Sequence, residues 1–312
     1  MKKYLFLVAA TVVGLASCNS NDDIGIAAPG GITITDDADC CSAEEALAVY
    51  NFLQTLQPVS GLSLTVDDEY DLQVYTPTGT LHTGYNDLYF VATKKFTGNY
   101  IKFLEITNLA PVMQMGMGMK HSTPTSAQAD VADSRLTAVK HGWVSFLMPS
   151  GDMGSWTLSF DVEVLRRKAS LQQASVSVDV LPEGQAWLKS FKVGDDTFYL
   201  SLADPSGWQT GSNTLTAYIS KKSSDGVSPY LPATEVFTVD TDPRMPDMGN
   251  HTSPGNTPLL PKADGSYQGT VNLTMTGLWR IHLTVMDAEG NIVAGGDDLD
   301  GGYSSLFWDV TL

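Results

Sequence analysis

Most of the chain beyond residue 60 is built from short runs rich in β-branched and aromatic residues. They fall at 62–66, 70–75, 87–93, 101–107, 143–148, 156–164 and 174–181, several alternate polar with apolar, and Gly, Pro, Asn and Asp separate them. Such runs predict strands with one face buried, packed as an all-β sandwich. One helix is expected: Ser42-Ala43-Glu44-Glu45 reads as a capping box, and the segment 42–58 that it opens ends at Pro58.

Seven strands in one unit predict an immunoglobulin-like architecture, without the cysteine pattern of antibody domains. The series then recurs. Thr83-Gly84-Tyr85-Asn86-Asp87-Leu88 matches Thr210-Gly211-Ser212-Asn213-Thr214-Leu215. Glu105-Ile106-Thr107 matches Glu235-Val236-Phe237, and His121-Ser122-Thr123-Pro124 matches His251-Thr252-Ser253-Pro254. Met148 and Trp156 match Met275 and Trp279, and Val178-Asp179-Val180 matches Trp308-Asp309-Val310. Offsets of 123 to 130 that change only between matched segments are what loop insertions in a duplicated unit produce. The expected organisation is two tandem sandwiches, residues 59–181 and 185–312, joined like beads with a modest interface.

The N-terminus predicts an address. Lys2 and Lys3 precede an apolar stretch too short to span a bilayer, and Leu15-Ala16-Ser17-Cys18 resembles a bacterial lipobox. Residues 1–17 are then a lipoprotein signal peptide, Cys18 carries lipid, and 18–41 form a tether. No other run has 18 consecutive apolar residues, so the lipid on Cys18 is the expected membrane attachment, in the outer membrane of a Gram-negative bacterium, facing the cell surface or the periplasm. The roles of Cys40 and Cys41 stay open between unrelated thiols and a soft-metal pair.

Charge narrows the partners. The chain has 18 basic and 35 acidic residues, a net charge of −17; losing residues 1–17 removes two lysines and no acid, leaving −19. Nucleic acid is excluded as an expected partner, and cations fit better. Neither Gly-x-Ser-x-Gly, His-Glu-x-x-His nor a Walker-type loop occurs, so no enzymatic activity is expected.

The conspicuous chemistry is thioether and imidazole. Met113-Gln114-Met115-Gly116-Met117-Gly118-Met119-Lys120-His121 places four Met and one His in nine residues. If extended, its Met and His side chains share one face; Pro111 and Pro124 bracket the segment, and its glycines favour a loop. The second unit has Met245, Met248 and His251 at a spacing of three. Thioethers are soft ligands that prefer Cu(I), and imidazole accepts several copper states. The alternative is gap-filling by Met in a core, the better reading for Met148, Met153 and Met275. His82, His141 and His282 have no matches and are expected to be surface or satisfied histidines. The acidic run Gly295–Gly302 reads as a solvated loop in preference to a Ca²⁺ site.

The series Gly211-Ser212-Asn213, Met245-Pro246-Asp247-Met248-Gly249, His251, Asp264-Gly265-Ser266-Tyr267-Gln268-Gly269 and Met275-Thr276-Gly277-Leu278-Trp279 resembles the YtkA-like extracytoplasmic domain, related to the FixH-like group. Residues 59–181 match it more loosely. The resemblance implies an immunoglobulin-like β-sandwich and, by likeness to periplasmic copper carriers, a copper ion as cargo. The ligands it carries over are Met115, Met117, Met119 and His121 in one unit and Met245, Met248 and His251 in the other. Asn250 stands where a histidine is common, and the first unit has an extra Met repeat. The expected function is a lipid-anchored extracytoplasmic protein that buffers Cu(I) or exchanges it with a copper donor or acceptor protein. The competing expectation is a non-enzymatic surface module that holds a protein or glycan partner, with the Met loops as contact surfaces.

Overall fold

The computed structural model describes residues 26–27, 33–34, 42–181, 185–296 and 306–312. The signal peptide, Cys18, most of the tether, Cys40 and Cys41, and residues 297–302 of the acidic run lie outside the described residues.

Helix α1, Ala43–Leu53, begins where the capping box predicts: the Ser42 hydroxyl accepts from the Glu45 N–H at 3.3 Å. It ends earlier than expected. Gln54 is its C-cap, and Pro58 lies inside strand β1, Gln57–Val66. Pro58 is tolerated there because β1 is an edge strand.

The first sheet body continues with β2 Tyr70–Thr76, β3 Gly84–Lys94, β4 Leu104–Met115, β5 Lys120–His121, β6 Gln128–Val131, β7 Val139–Phe146, β8 Gly154–Val164 and β9 Arg167–Val176. The second has β10 Leu188–Val193, β11 Asp196–Leu202, β12 Gly211–Lys221, β13 Thr238–Met245, β14 His251–Thr252, β15 Thr257–Pro261, β16 Tyr267–Leu273, β17 Leu278–Met286, β18 Ile292–Gly295 and β19 Phe307–Thr311. The first ladder runs β9-β8-β4-β6-β7-β3-β2-β1, with β5 on β4. The second runs β18-β17-β13-β15-β16-β12-β11-β10, with β14 on β13 and β19 on β17. Every strand of the first order has its counterpart in the second. The protein is all-β, with two sandwich-like bodies in tandem.

In each body a short strand joins two larger faces. β6 reaches β4 through only two residue pairs, and β15 reaches β13 through Val239 and Leu259 alone. Apolar side chains of the two faces fill the space between them. Leu72, Phe90, Ile106, Phe146, Trp156 and Phe160 are buried together in the first body; Leu200, Leu215, Val239, Val271, Trp279 and Leu283 are buried in the second. α1 covers a third cluster, burying Ala46 and Val49 against Val91, Tyr100, Ala138 and Val139.

The Gly-x-Asn match has a structural cause. Asn86 Oδ1 accepts from the His82 N–H at 2.9 Å, and its Nδ2 donates to the carbonyls of His82 and Gly84, both at 2.8 Å. Asn213 repeats this cradle: Oδ1 accepts from the Gln209 N–H at 2.9 Å, and Nδ2 donates to the Gln209 and Gly211 carbonyls at 2.7 and 3.0 Å. Both amides satisfy the backbone of the turn that feeds the central strand. Two other matches shift. β4 starts at Leu104 while β13 starts at Thr238, so Glu105 and Glu235 are not equivalent. Val176 pairs with Trp156 as Val310 pairs with Trp279, which replaces the match of Val180 with Val310.

The bodies touch through specific contacts. Tyr218 of β12 packs on Trp143 and Tyr85, with ring centroids 4.6 and 5.8 Å apart. A Cβ on Gly84 would stand 1.9 Å from the Ala186 carbonyl oxygen, at a φ of +84°, so only glycine fits where the linker crosses β3. The Ser122 N–H donates to the Gly226 carbonyl at 3.0 Å, and the Thr125 N–H to the Tyr230 carbonyl at 3.2 Å.

Two outcomes are expected. Asn213→Ala leaves the Gln209 N–H and two carbonyls without their side-chain partner and should lower unfolding free energy by about 1 kcal/mol in urea titration, as should Asn86→Ala. Burial, with Asp87 nearby, pushes the Tyr218 phenol up to about 12. A raised folded-state value means that this stabilisation is full below the ordinary tyrosine range and is lost as pH climbs toward 12. Phenolate absorbance of Tyr218→Phe against wild type should show one group missing from the late-titrating class.

Candidate metal-ligating hairpins

The Met-rich run of the first body is a hairpin, in which the loop favoured by its glycines is confined to the tip. β4 ends at Met115, a 3₁₀ turn spans Gly116–Gly118, and β5 returns. Met117 occupies the tip in the left-handed region, φ 60°, and is 96 % exposed. Met113 lies opposite His121, and the Met115 N–H donates to the Met119 carbonyl at 2.9 Å. Opposed residues share a face, and so do residues two apart. Met113, Met115, Met119 and His121 therefore stand on one face of the hairpin. Exposure grades along it: Met113 is fully buried, Met115 is half-buried against the same core, His121 is half-buried, and Met119 is exposed.

Pro111 does not bound a loop; it lies within β4 and pairs with Leu158. The opposite edge of β4 is bonded to β6 only at Ile106 and Thr107 and to β5 only at Met113 and Gln114. The missing N–H thus costs no ladder bond on that edge, and the Ser122 hydroxyl donates to the Pro111 carbonyl at 2.8 Å.

The second body repeats this construction in shorter form. β13 ends at Met245, a 3₁₀ turn spans Pro246–Met248, and His251 on β14 lies opposite Met245. The Asn250 N–H donates to the Met245 carbonyl at 3.0 Å, and Gly249 and Asn250 both take positive φ to close the turn. Met245 is 5 % exposed within the core, whereas Met248 and His251 are exposed. The structure thus joins Met245 to His251 across the ladder and puts Met248 at the tip.

Each buried Met has the same surroundings. Met113 pairs with Trp156 on β8; the registers of β13 and β17 put Met245 beside Trp279. Each Trp indole N–H donates at 2.9 Å to a methionine carbonyl, that of Met148 or Met275. A Cβ on Gly154 would lie 3.1 Å from the Met113 methyl, and one on Gly277 would lie 3.0 Å from the Met245 methyl. Met148 and Met275 are half-buried against their cores, and Met153 is exposed. Sequence reasoning put Met113 on the Met face but left it out of the ligand set; its cross-strand partner His121 is the signal that recovers it.

The two histidines differ in cover. Ser122 and Thr123 after His121 are buried beneath the loop that contains Gly226, held by the bond from the Ser122 N–H. Asp225 shapes that loop, accepting from the Val227 and Ser228 N–H groups and from the Ser223 and Ser228 hydroxyls, and these bonds hold its carboxyl well below the usual carboxylate range. Of the unmatched histidines, His141 bonds Asp87 at 2.7 Å, and His82 bonds the Thr83 carbonyl at 3.0 Å. Among the described residues, no three His, Cys, Asp or Glu side chains gather at metal-ligating spacing. A metal site built from described residues would therefore draw on the thioethers.

Gly154→Ala brings a Cβ within 2.4 Å of the Gln114 carbonyl oxygen and should displace the first hairpin, lowering thermal stability. Gly277→Ala meets only the flexible end of Met245, though its φ of +126° also strains alanine, and should cost less than a clash with backbone; the two melting temperatures check the ranking.

No curated protein matches the chain. Among solved structures, the Bacteroides ovatus mixed-linkage glucan utilization locus SGBP-B in complex with mixed-linkage heptasaccharide is similar at 16 % identity, with a TM-score of 0.17. The similarity covers 82 % of this chain and 47 % of that one, so the chain spans about half the length of that structure. Residues 192–284, from β10 to β17 and including Asn213, Met245, His251 and Trp279, match the family model described as YtkA-like, and the match lies within the second body.

Proposed function

We propose that this is a lipid-anchored extracytoplasmic protein that binds Cu(I) as cargo through its Met/His hairpins. It buffers the ion or exchanges it with a donor or acceptor protein at the membrane to which Cys18 attaches it. The observation that carries this reading is the recurrence of one ligand pair: Met113 opposite His121 and Met245 opposite His251, at equivalent hairpins in two bodies. In the first hairpin Met115 and Met119 add two thioethers to the same face. This donor set is neutral and soft, suited to Cu(I), and the thioethers need no deprotonation to bind. Exposure of Met119, Met248 and His251 favours transfer by ligand exchange. The family match at residues 192–284 supports the reading without naming a metal. The exposed tips Met117 and Met248 favour a second reading, in which the hairpins are soft apolar contact surfaces for a partner.

The test is an anaerobic titration of residues 19–312 with Cu(I) against a chelator of known affinity. Binding tighter than micromolar is expected. Met115→Leu with Met119→Leu keeps side-chain volume and should leave the melting temperature unchanged while weakening Cu(I) by about ten-fold, roughly 1.4 kcal/mol. His251→Ala should weaken Cu(II) more than Cu(I). Absence of binding tighter than micromolar would discard the copper reading and leave the contact surface in its place.

A further inference from the structure

The two Met/His hairpins differ in what holds the residues after each histidine. In the first body Ser122, Thr123, Pro124 and Thr125 are all buried. The Ser122 N–H donates to the Gly226 carbonyl of the second body at 3.0 Å, and its hydroxyl donates to the Pro111 carbonyl at 2.8 Å. The Thr123 hydroxyl donates to the Ser145 carbonyl and accepts from the Leu147 N–H at 3.2 Å. The Thr125 N–H donates to the Tyr230 carbonyl at 3.2 Å, and its hydroxyl to the Trp143 carbonyl at 2.9 Å. His121 is therefore held from both sides, by its ladder with Met113 and by the bonds that begin at Ser122.

The second hairpin has less support at the same place. Thr252, Pro254 and Gly255 are exposed. Ser253, which stands where the first body has Thr123, is buried, yet its hydroxyl has no partner among the described residues. The Ser253 and Pro254 carbonyls accept from Asn256 and Asn272, at 2.6 and 2.8 Å, within the same body.

The carbonyl that receives the Ser122 N–H belongs to a loop with its own internal cage. Asp225 accepts from the Val227 and Ser228 N–H groups at 2.9 and 2.8 Å, and from the Ser223 and Ser228 hydroxyls at 2.8 and 2.7 Å. The Gly226 N–H donates to the Ser223 carbonyl at 3.2 Å. The ends of the loop are anchored in the second body. The Lys222 N–H donates to the Thr197 carbonyl at 2.8 Å, and buried Tyr230 stacks on Tyr199 with ring centroids 5.7 Å apart. Asp225 thus sets where the Gly226 carbonyl stands, and that carbonyl restrains the residue next to His121.

We propose that the second body makes the first hairpin the tighter of two Cu(I) sites, with Asp225 as the positioning residue, and leaves the second hairpin as the site of exchange. This rests on the copper reading of the hairpins. A ligand held in place before the ion arrives loses less conformational freedom on binding. Both Asp225 oxygens are engaged within the loop, so it acts through Gly226 and Ser122 and not as a ligand.

The test uses residues 19–312 in two backgrounds. Met248→Leu with His251→Ala isolates the first hairpin; Met115→Leu with Met119→Leu and His121→Ala isolates the second. Each is titrated anaerobically with Cu(I) against a chelator of known affinity. The first site should bind at least about ten-fold tighter, and Asp225→Ala should remove about that factor at the first site alone. Asp225→Asn keeps an oxygen for the loop N–H groups and should restore most of the affinity. A loss caused only by destabilising the second body would instead weaken the second site as well. A measurement on the wild-type chain stands apart from the variants. If the Ser122 restraint favours Cu(I), linkage requires Cu(I) to slow hydrogen exchange at the Ser122 amide. Equal affinities, no loss with Asp225→Ala, an equal loss at both sites, Asp225→Asn as weak as Asp225→Ala, or Ser122 exchange indifferent to Cu(I) would overturn the proposal. Binding at both hairpins without these differences sinks only the control by the second body; no binding at either sinks the copper reading with it.

Discussion

The register of β4 on β8, and of β13 on β17, fixes where everything else in each body can stand. Met113 pairs with Trp156 in one body, and Met245 stands beside Trp279 in the other; all four side chains are buried. A slip of one residue would turn every side chain of the strand to the opposite face, putting Met113 outside and Gln114 in the core. With the register held, the strand ends two residues beyond Met113 or at Met245 itself. The turn follows, and the return strand brings His121 or His251 opposite the buried Met. The histidine's place is thus a consequence of core packing. The candidate ligand and the core packing fall on the same methionine, so its place in the sequence alone does not separate the two roles.

The likeness of strand order between the two bodies was legible where the matched residues satisfy backbone. Asn86 and Asn213 each bind the residue four positions earlier, and Trp156 and Trp279 each bind a methionine carbonyl; such roles fix residue type and local spacing together. The matches that shifted rest on residues without such a role: Glu105 lies on an exposed strand edge, and Val180 lies beyond β9. The Met run was legible only in part: its glycines marked the turn but not the strands on either side of it. Its alternation is that of a strand, but Gly116 and Gly118 sit beside the one Met that takes a left-handed φ, and reversal there yields cross-strand pairs in place of a line. Alternation alone cannot say where a strand folds back.

The unequal cover of the two histidines could not have been read from either unit. His121 is half-buried because the backbone after it bonds a loop about a hundred residues later in the chain, and Asp225 shapes that loop with its side chain. His251 has a similar local sequence on a shorter hairpin but is exposed. Two hairpins built from one plan thereby acquire different accessibility, and the difference belongs to the junction between the bodies. Tyr218 on Trp143 and Tyr85, and glycine at position 84, hold that junction through groups that have no counterpart pairing within a single body.

Polarity along the first body follows from the same strands. β3 carries the aromatic junction near its start and ends beside Phe96; β4 starts beside Phe103 and ends at the Met/His hairpin. Antiparallel neighbours of similar length necessarily place their turns at two opposite ends. Here the turns at one end carry the exposed Phe96 and Phe103, while those at the other carry thioethers and the contact with the second body.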